Sequence, residues 1–218
     1  MPGSIAMRLK SGERVIADKF NSVSILFADI VNFTQLSQSI SAVELVELLN
    51  EIFSTIDDLT IKYNLEKIKT IGDCYMVISG APIPNKDHAI QMAFFALELQ
   101  SVITQLTLGR AFPILFRIGI HSGEVVAGVI GKKKFAYDMW GDAVNTASRM
   151  ESHGEPGRIH VSSDYAKELG LLNTKGLNEK NEIKIDIPNS KLLILSSGEM
   201  EIKGKGKMQT FFLEEVKS

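Results

Sequence analysis

Apolar residues recur along the chain with two periods, one typical of strands and one typical of helices. A largely apolar segment predicts a central strand over 22–28, and the capping box at 41–44 opens a helix whose apolar face continues to Leu59. The next predicted elements are strands over 65–71 and 74–79, a helix over 87–104 and a strand over 114–120. This order of elements predicts an α+β fold with a ferredoxin-like βαββαβ core.

The C-terminal part of the chain is predicted to add further strands and helices to this core. Residues 1–20 have the pattern of an amphipathic lead-in, and residues 171–200 have the least regular pattern. The predicted C-terminal elements are strands over 125–130 and 135–139, a helix over 142–152, a strand over 159–161, a short helix from Ser163, and strands over 183–187, 192–195 and 208–213.

Composition and charge exclude several classes of protein. The 218 residues are 44% hydrophobic and 23% charged, as in ordinary globular domains, which excludes a disordered or fibrous chain. A formal net charge of −2 provides no overall positive field to hold nucleic acid. Cys74 is the single cysteine, which favours a reducing compartment. No apolar run approaches the ~18 residues that a membrane span requires, so we expect a soluble, cytoplasmic domain.

Two acidic residues are the first candidates for chemistry. Asp29 ends the first predicted strand, and Asp73 lies in the turn between the next two strands. In a ferredoxin-like sheet these strands are neighbours, so the two carboxylates can meet at one edge and hold Mg²⁺ or Mn²⁺ together with the phosphates of a substrate. Taken singly, each residue is better explained as an ordinary strand end or turn residue.

Two further groups of polar residues have a functional and a structural interpretation. Asn145 and Arg149 are four residues apart and therefore share one helical face, where an amide and a guanidinium suit ribose and phosphate recognition. An ordinary exposed polar pair is the alternative. The segment 203–207 alternates Lys and Gly, and it is either a cationic loop that closes over phosphates or a solvated turn.

Three segments together resemble the catalytic domain of the class III nucleotide cyclases. They are FADIVNFT at 27–34, KTIGD at 69–73 and YDMWGDAVNTASRM at 137–150. The resemblance covers roughly residues 22–170 and the Lys-Gly repeat near the C-terminus. Asn32 departs from it, since the family commonly has Gly at that position.

The resemblance implies a set of site residues, each carried over from the matching motif. One set of these groups would bind two divalent cations, Mg²⁺ or Mn²⁺. Another set would bind the ATP substrate. The implied metal-binding groups are Asp29, Asp73 and the backbone carbonyl of Ile30; the implied catalytic residues are Asn145, which orients the ribose, and Arg149, which stabilises charge at the α-phosphate; the implied substrate-binding residues are Phe33, Thr34, Lys69, Asp138 and Lys205.

Lys69 and Asp138 occupy the positions that read the purine base. Adenylate cyclases of the family commonly have Lys and Asp there, whereas guanylate cyclases have Glu and Cys. The resemblance therefore implies an adenylate cyclase that converts ATP to 3′,5′-cyclic AMP and pyrophosphate. The alternatives are a guanylate cyclase or a catalytically inactive, nucleotide-binding regulatory domain. A diguanylate-type enzyme shares the split fold, but the chain has no Gly-Gly-Asp/Glu-Glu-Phe signature.

In this family the metal-binding and purine-reading residues of one site come from different subunits. Because this chain has both sets, the resemblance implies a homodimer with two equivalent sites. Residues 1–20 resemble the connecting element that joins such cyclases to upstream modules. We therefore expect a catalytic domain over 21–218, preceded in the parent protein by a sensory or membrane module.

Overall fold

The computed structural model describes residues 1–108, 114–170, 182–187, 190–202 and 206–216. Helices and strands alternate over most of this length. The helices are α1 Gly3–Lys10, α2 Phe33–Ser39, α3 Ala42–Lys62, α4 His88–Leu106, α5 Asp142–Ser152 and α6 Ser163–Glu168. The strands are β1 Ala17–Ile30, β2 Glu66–Ile71, β3 Cys74–Ser79, β4 Phe116–Ile130, β5 Ala136–Trp140, β6 Ile159–Ser162, β7 Glu182–Ile187, β8 Ser190–Ile202 and β9 Gly206–Glu215.

The strands form one sheet whose first half is the predicted ferredoxin-like core. Its strand order is β2-β3-β1-β4-β6-β9-β8-β7, and β5 pairs with β4 outside this path. Within the core, β1 is antiparallel to both β3 and β4, and β2 is antiparallel to β3. The predicted α+β fold class and βαββαβ order are confirmed.

Two apolar cores cover the two faces of the sheet. On one face, α3 and α4 pack against alternate residues of the central strands, including Leu26 and Ile118. On the other face, apolar residues of α1 and α5, including Ile5 and Ala147, pack against Ile25 and Phe27 of β1. The period-two alternation of β1 therefore serves two hydrophobic layers, which explains why residues 25–28 are all apolar and buried.

The structure corrects several predicted boundaries. The strands predicted over 114–120 and 125–130 are one strand, β4, because the polar interval between them continues to pair with β1. Strand β1 begins at Ala17, five residues before the predicted start, and its register shifts between Phe20 and Val23. The proposed division into a connecting element and a catalytic domain at residue 20 stays a prediction.

Helix α4 is long and apolar enough to be a candidate membrane span by length and composition alone. The pattern of apolar runs in the sequence did not predict such a span. In the structure its apolar residues belong to the core between α3 and the sheet. A core helix of a soluble domain passes the same length and composition test.

Helix α5 approaches strand β4 most closely at Gly119. A Cβ atom on this residue would lie 1.9 Å from the backbone nitrogen of Glu151 and 2.5 Å from its Cα. No side chain fits in that space, because both neighbours are backbone. The contact fixes the height of α5 above the sheet.

We expect Gly119→Ala to lower the free energy of unfolding by about 3 kcal/mol or more, because helix and strand must separate. For a domain of this size that corresponds to a fall in Tm of roughly 6–12 °C. Gly3→Ala is the control, since a Cβ there has no atom within 4 Å. Thermal unfolding of both variants tests this, and an unchanged Tm for Gly119→Ala would contradict the packing.

Candidate active site

Asp29 and Asp73 meet at one edge of the sheet, as the sequence predicts. Ala28 of β1 pairs with Tyr75 of β3, so the end of β1 lies beside the turn that precedes β3. The Asp73 carboxyl is close enough to the Asp29 carboxyl to share a hydrogen bond when one of them is protonated, and it accepts a hydrogen bond from the backbone N–H of Ile30. Pairing of the strands thus brings together two carboxylates that are 44 residues apart in sequence.

Partial burial and the nearby charge of Asp29 raise the pKa of Asp73 to about 6. Partial burial is the largest cause, and the negative charge of Asp29 is the second. A pair of carboxylates that face each other in this way favours a positive charge between them. The edge therefore has the electrostatic character of a cation site.

The donor set fits hard divalent cations. Both side chains offer carboxylate oxygen, and among the described residues no cluster of three or more His, Cys, Asp or Glu side chains is arranged to enclose a metal ion. Mg²⁺ commonly uses one or two protein carboxylates and completes its shell with water and substrate phosphates. Asp29 and Asp73 match that pattern.

Arg117 is a site residue that sequence reasoning did not identify. Its Nη2 donates to Oδ2 of Asp29 at 3.0 Å, and its Nε donates to Oε1 of Glu151 at 3.1 Å. Arg117 lies directly opposite Asp29 in the pairing of β1 with β4. The sequence does indicate it, because Arg117 is the only charged residue in the predicted strand over 114–120. It lies between Phe116 and Ile118, which are buried.

Lys69 and Asp138 form an ion pair. The Lys69 Nζ lies 2.5 Å from Oδ2 of Asp138, and Oδ1 of Asp138 accepts a hydrogen bond from the backbone N–H of Met139 at 2.8 Å. Asp138 is the better buried partner, with 17% of its side chain exposed against 40% for Lys69. The structure brings together two residues, from β2 and β5, whose association no local pattern predicts.

The same pair lines a cavity of about 230 Å³. Ile68, Phe135 and Tyr137 supply apolar surface to this cavity, and Met1 and Pro2 at the start of the chain complete its lining. A concave site that combines apolar surface with a few polar groups is typical of small-molecule binding.

Asn145 and Arg149 lie on α5, away from its buried face. That face consists of Ala143, Ala147 and Met150 with their neighbours, whereas Asn145 is exposed and Arg149 is half-buried. The helical prediction over 142–152 is confirmed, and the two residues share one side of the helix as their spacing predicts.

The remaining predicted site residues are Phe33, Thr34 and Lys205. Phe33 and Thr34 begin α2, directly after Asn32, whose φ of 59° lies in the left-handed region. Glycine adopts that conformation easily and Asn tolerates it better than most residues, which explains how Asn32 replaces the usual Gly. Lys205 lies outside the described residues.

Comparison with known proteins assigns the chain to a family. The family model described as the adenylate and guanylate cyclase catalytic domain matches residues 15–215. The chain belongs to this family. It is a class III nucleotide cyclase catalytic domain, and domains of this kind act on a nucleotide substrate and generally use divalent metal ions.

Relatives with either base specificity are similar to this domain. An adenylate cyclase of Mycobacterium tuberculosis is 42% identical over 98% of the chain, and the rat guanylate cyclase soluble subunit beta-2 is 40% identical over 98%. The domain spans only 44% and 29% of the lengths of these two proteins. The guanylate cyclase domain from Catenaria anguillulae, solved in complex with GTP, is 34% identical with a TM-score of 0.77, over 92% of this chain and 100% of that one.

We expect Asp73→Asn to stabilise the domain when no divalent cation is present. A carboxyl whose pKa is higher in the folded protein than in the unfolded chain destabilises the fold at every pH at which it is ionised. For Asp73 this effect is small near pH 4 and complete above about pH 6. The gain in free energy of unfolding at pH 7.5 should be on the order of 1 kcal/mol, after allowance for solvent screening.

Urea unfolding in EDTA at pH 7.5 and pH 4 measures this difference. The exposed turn residue Asp87 supplies the control variant Asp87→Asn. A variant Asp73→Asn that is no more stable than the parent at pH 7.5 would show that the folded domain does not disfavour the ionised Asp73 carboxylate.

Proposed function

We propose that this domain is an adenylate cyclase, which converts ATP to 3′,5′-cyclic AMP and pyrophosphate. The observation that carries the proposal is the ion pair between Lys69 and Asp138 at the wall of the small cavity. The adenylate cyclase of M. tuberculosis, 42% identical, supports it. The guanylate cyclase relatives make GTP the alternative substrate.

The hydrogen-bonding capacity of the pair matches adenine. Adenine presents a donor at N6 and an acceptor at N1, which a carboxylate and an ammonium complement. Guanine presents an acceptor at O6 and a donor at N1, so each of its groups would face a partner of the wrong kind. An unmatched polar group in a partly buried site is costly, and this cost favours ATP over GTP.

The reaction requires that the 3′-oxygen of ATP attack the α-phosphorus. A bond forms between these atoms, the bond from the α-phosphorus to the bridging oxygen breaks, and pyrophosphate leaves. Two divalent cations would be held by Asp29, Asp73 and the Ile30 carbonyl. They would lower the pKa of the 3′-hydroxyl and neutralise the charge of the triphosphate. We assign no side chain as general base.

Two side chains of α5 act on the reacting part of the substrate. The Asn145 amide orients the ribose so that its 3′-oxygen faces the α-phosphate. The Arg149 guanidinium donates to the α-phosphate and stabilises the charge that develops there. Lys205 is proposed to hold the terminal phosphates. The presence of both carboxylates and of this arginine favours an active enzyme over a catalytically inactive regulatory domain.

We propose further that the active form is a homodimer with two shared sites. Asp138 lies on the outer face of the β4–β5 hairpin, where Val126, Ile130 and Trp140 are 43%, 53% and 41% exposed. Apolar surface around a polar binding pair is typical of a face that another subunit covers. An ATP substrate and the single cysteine favour a cytoplasmic location, with an upstream sensory or membrane module in the parent protein.

The first test exchanges the purine-reading pair. Lys69→Glu combined with Asp138→Cys should lower kcat/KM for ATP by about 10²–10⁴-fold and raise that for GTP, because the pattern of donors and acceptors is inverted. The matched control is Lys167→Glu with Asp164→Cys, which makes the same exchange in an exposed ion pair of α6. An unchanged preference for ATP in the first variant would show that other residues read the base.

The second test uses complementation between inactive variants. In a shared-site dimer, Asp73→Ala and Arg149→Ala homodimers should both be nearly inactive. Random exchange of chains makes half of the dimers mixed, and each mixed dimer has one intact site, so the mixture should regain about a quarter of the parental activity.

Production of cyclic AMP is measured for each purified variant alone and after co-incubation. Fluorescence transfer between labelled chains serves as the control that exchange has occurred. Exchange without recovery of activity would show that the site does not combine these residues from two chains.

A further inference from the structure

One chain of contacts connects the metal-binding edge to helix α5. Asp29 accepts from Arg117 at 3.0 Å, and Arg117 donates in turn to Glu151 of α5 at 3.1 Å. The guanidinium uses different nitrogens for the two carboxylates, Nη2 for Asp29 and Nε for Glu151, so both contacts exist together. The position of the Asp29 carboxylate therefore depends on where Glu151 holds Arg117.

Glu151 is unusually well fixed for an acidic residue. Only 9% of its side chain is exposed, against 32% for Arg117 and 21% for Asp29. Its backbone nitrogen lies against Gly119, where no Cβ could be accommodated, so α5 cannot move closer to β4 at this point. Burial also raises the pKa of Glu151, which the contact with Arg117 opposes. A buried carboxylate that loses its cationic partner is costly, so this contact is maintained.

We propose that Glu151 is a positioning residue for Asp29, and that it acts through Arg117. Glu151 touches neither the reacting atoms nor the substrate. It restricts the Arg117 guanidinium to one orientation, and the guanidinium restricts the carboxylate of Asp29 that is proposed to bind metal. Residues that orient a ligand in this way commonly change metal affinity by about 10–100-fold when they are replaced.

In a shared-site dimer the contact of Arg117 with Asp29 and Glu151 connects the two sites. This step of the inference rests on the proposed function. Helix α5 supplies Asn145 and Arg149 to one site, whereas Asp29 and Asp73 of the same chain serve the other site. The Arg117–Glu151 contact then joins a helix of one site to a metal-binding residue of the other.

The first experiment separates position from charge by measuring Mn²⁺ binding. Glu151→Asp keeps the charge but shortens the side chain by about 1.5 Å, which takes it beyond hydrogen-bonding range of Arg117. Glu151→Gln keeps the shape and one acceptor but loses the charge. Free Mn²⁺ is followed by its electron paramagnetic resonance signal, in the presence of 3′-deoxy-ATP, which lacks the attacking hydroxyl.

We expect Glu151→Asp to weaken Mn²⁺ binding about tenfold and Glu151→Gln to weaken it less. The control is Glu155→Gln, which removes the same charge from an exposed ion pair with Arg158 and should bind like the parent. Parental affinity in a folded Glu151→Asp variant overturns the proposal, because charge alone then suffices. If that variant unfolds, a loss of tenfold or more in Glu151→Gln overturns it instead, because charge and not position then decides the affinity. A parental domain that binds no Mn²⁺ overturns the proposed metal site as well.

The second experiment places Glu151→Asp on one chain of the complementing dimer. The surviving site takes Asp29 and Asp73 from the Arg149→Ala chain, and Asn145 and Arg149 from the Asp73→Ala chain. If Glu151 positions Asp29, the change should reduce the recovered activity about tenfold on the Arg149→Ala chain and much less on the Asp73→Ala chain.

The opposite result, with the larger loss on the Asp73→Ala chain, would mean that Glu151 acts on Arg149 within α5, and it overturns the proposal. Equal losses on both chains would indicate a general effect on folding, and they overturn it too. Failure of the complementation without any change at Glu151 counts against the shared-site dimer, and the Mn²⁺ measurement then decides the role of Glu151.

Discussion

Helix α5 and strand β4 are in contact through their backbones at Gly119, and the arrangement of the active site depends on this contact. The strand carries Arg117 two residues earlier, and the helix carries Glu151 at the contact itself. Because the distance between the two elements is fixed by backbone atoms, the ion pair between these residues is fixed as well. Asp29 is held by the same guanidinium. A single glycine thus sets the relation between the helix with Asn145 and Arg149 and the edge with the two carboxylates.

The carboxylate edge combines opposing electrostatic effects. Asp29 repels Asp73 in the absence of a cation, and this repulsion adds to the effect of burial in raising the pKa of Asp73. Arg117 offsets part of this repulsion for Asp29, and Glu151 in turn balances Arg117. The local charge therefore remains negative, which suits divalent cations, while the positions of the groups are restrained. The fold maintains this unfavourable pair because the pairing of β1 with β3 and β4 fixes both strand ends.

Lys69 and Asp138, the pair proposed to read the purine base, are brought together by the packing of two separate strands. Lys69 lies on an edge strand of the core, and Asp138 lies on a hairpin that leaves the main path of the sheet. Their ion pair satisfies both groups without a nucleotide, so a base must supply equivalent hydrogen bonds to replace it. Relatives with about 40% identity include both adenylate and guanylate cyclases. The fold as a whole therefore does not distinguish the two activities.

The sequence alone predicted the order of the core elements and supplied the candidate site residues of this domain. Period-two and helical patterns reflect burial on one or two faces, and burial is a local property of each element, so the order of the ferredoxin-like core could be predicted. The long motifs identified Asp29, Asp73, Lys69 and Asp138 as residues that belong together. Only the tertiary structure decided that β4 is continuous, because its polar centre is stabilised by pairing with β1 and not by its own pattern. The same holds for Arg117 and Glu151: they are 34 residues apart, on a strand and a helix, and their contact arises from the packing of the helix against Gly119.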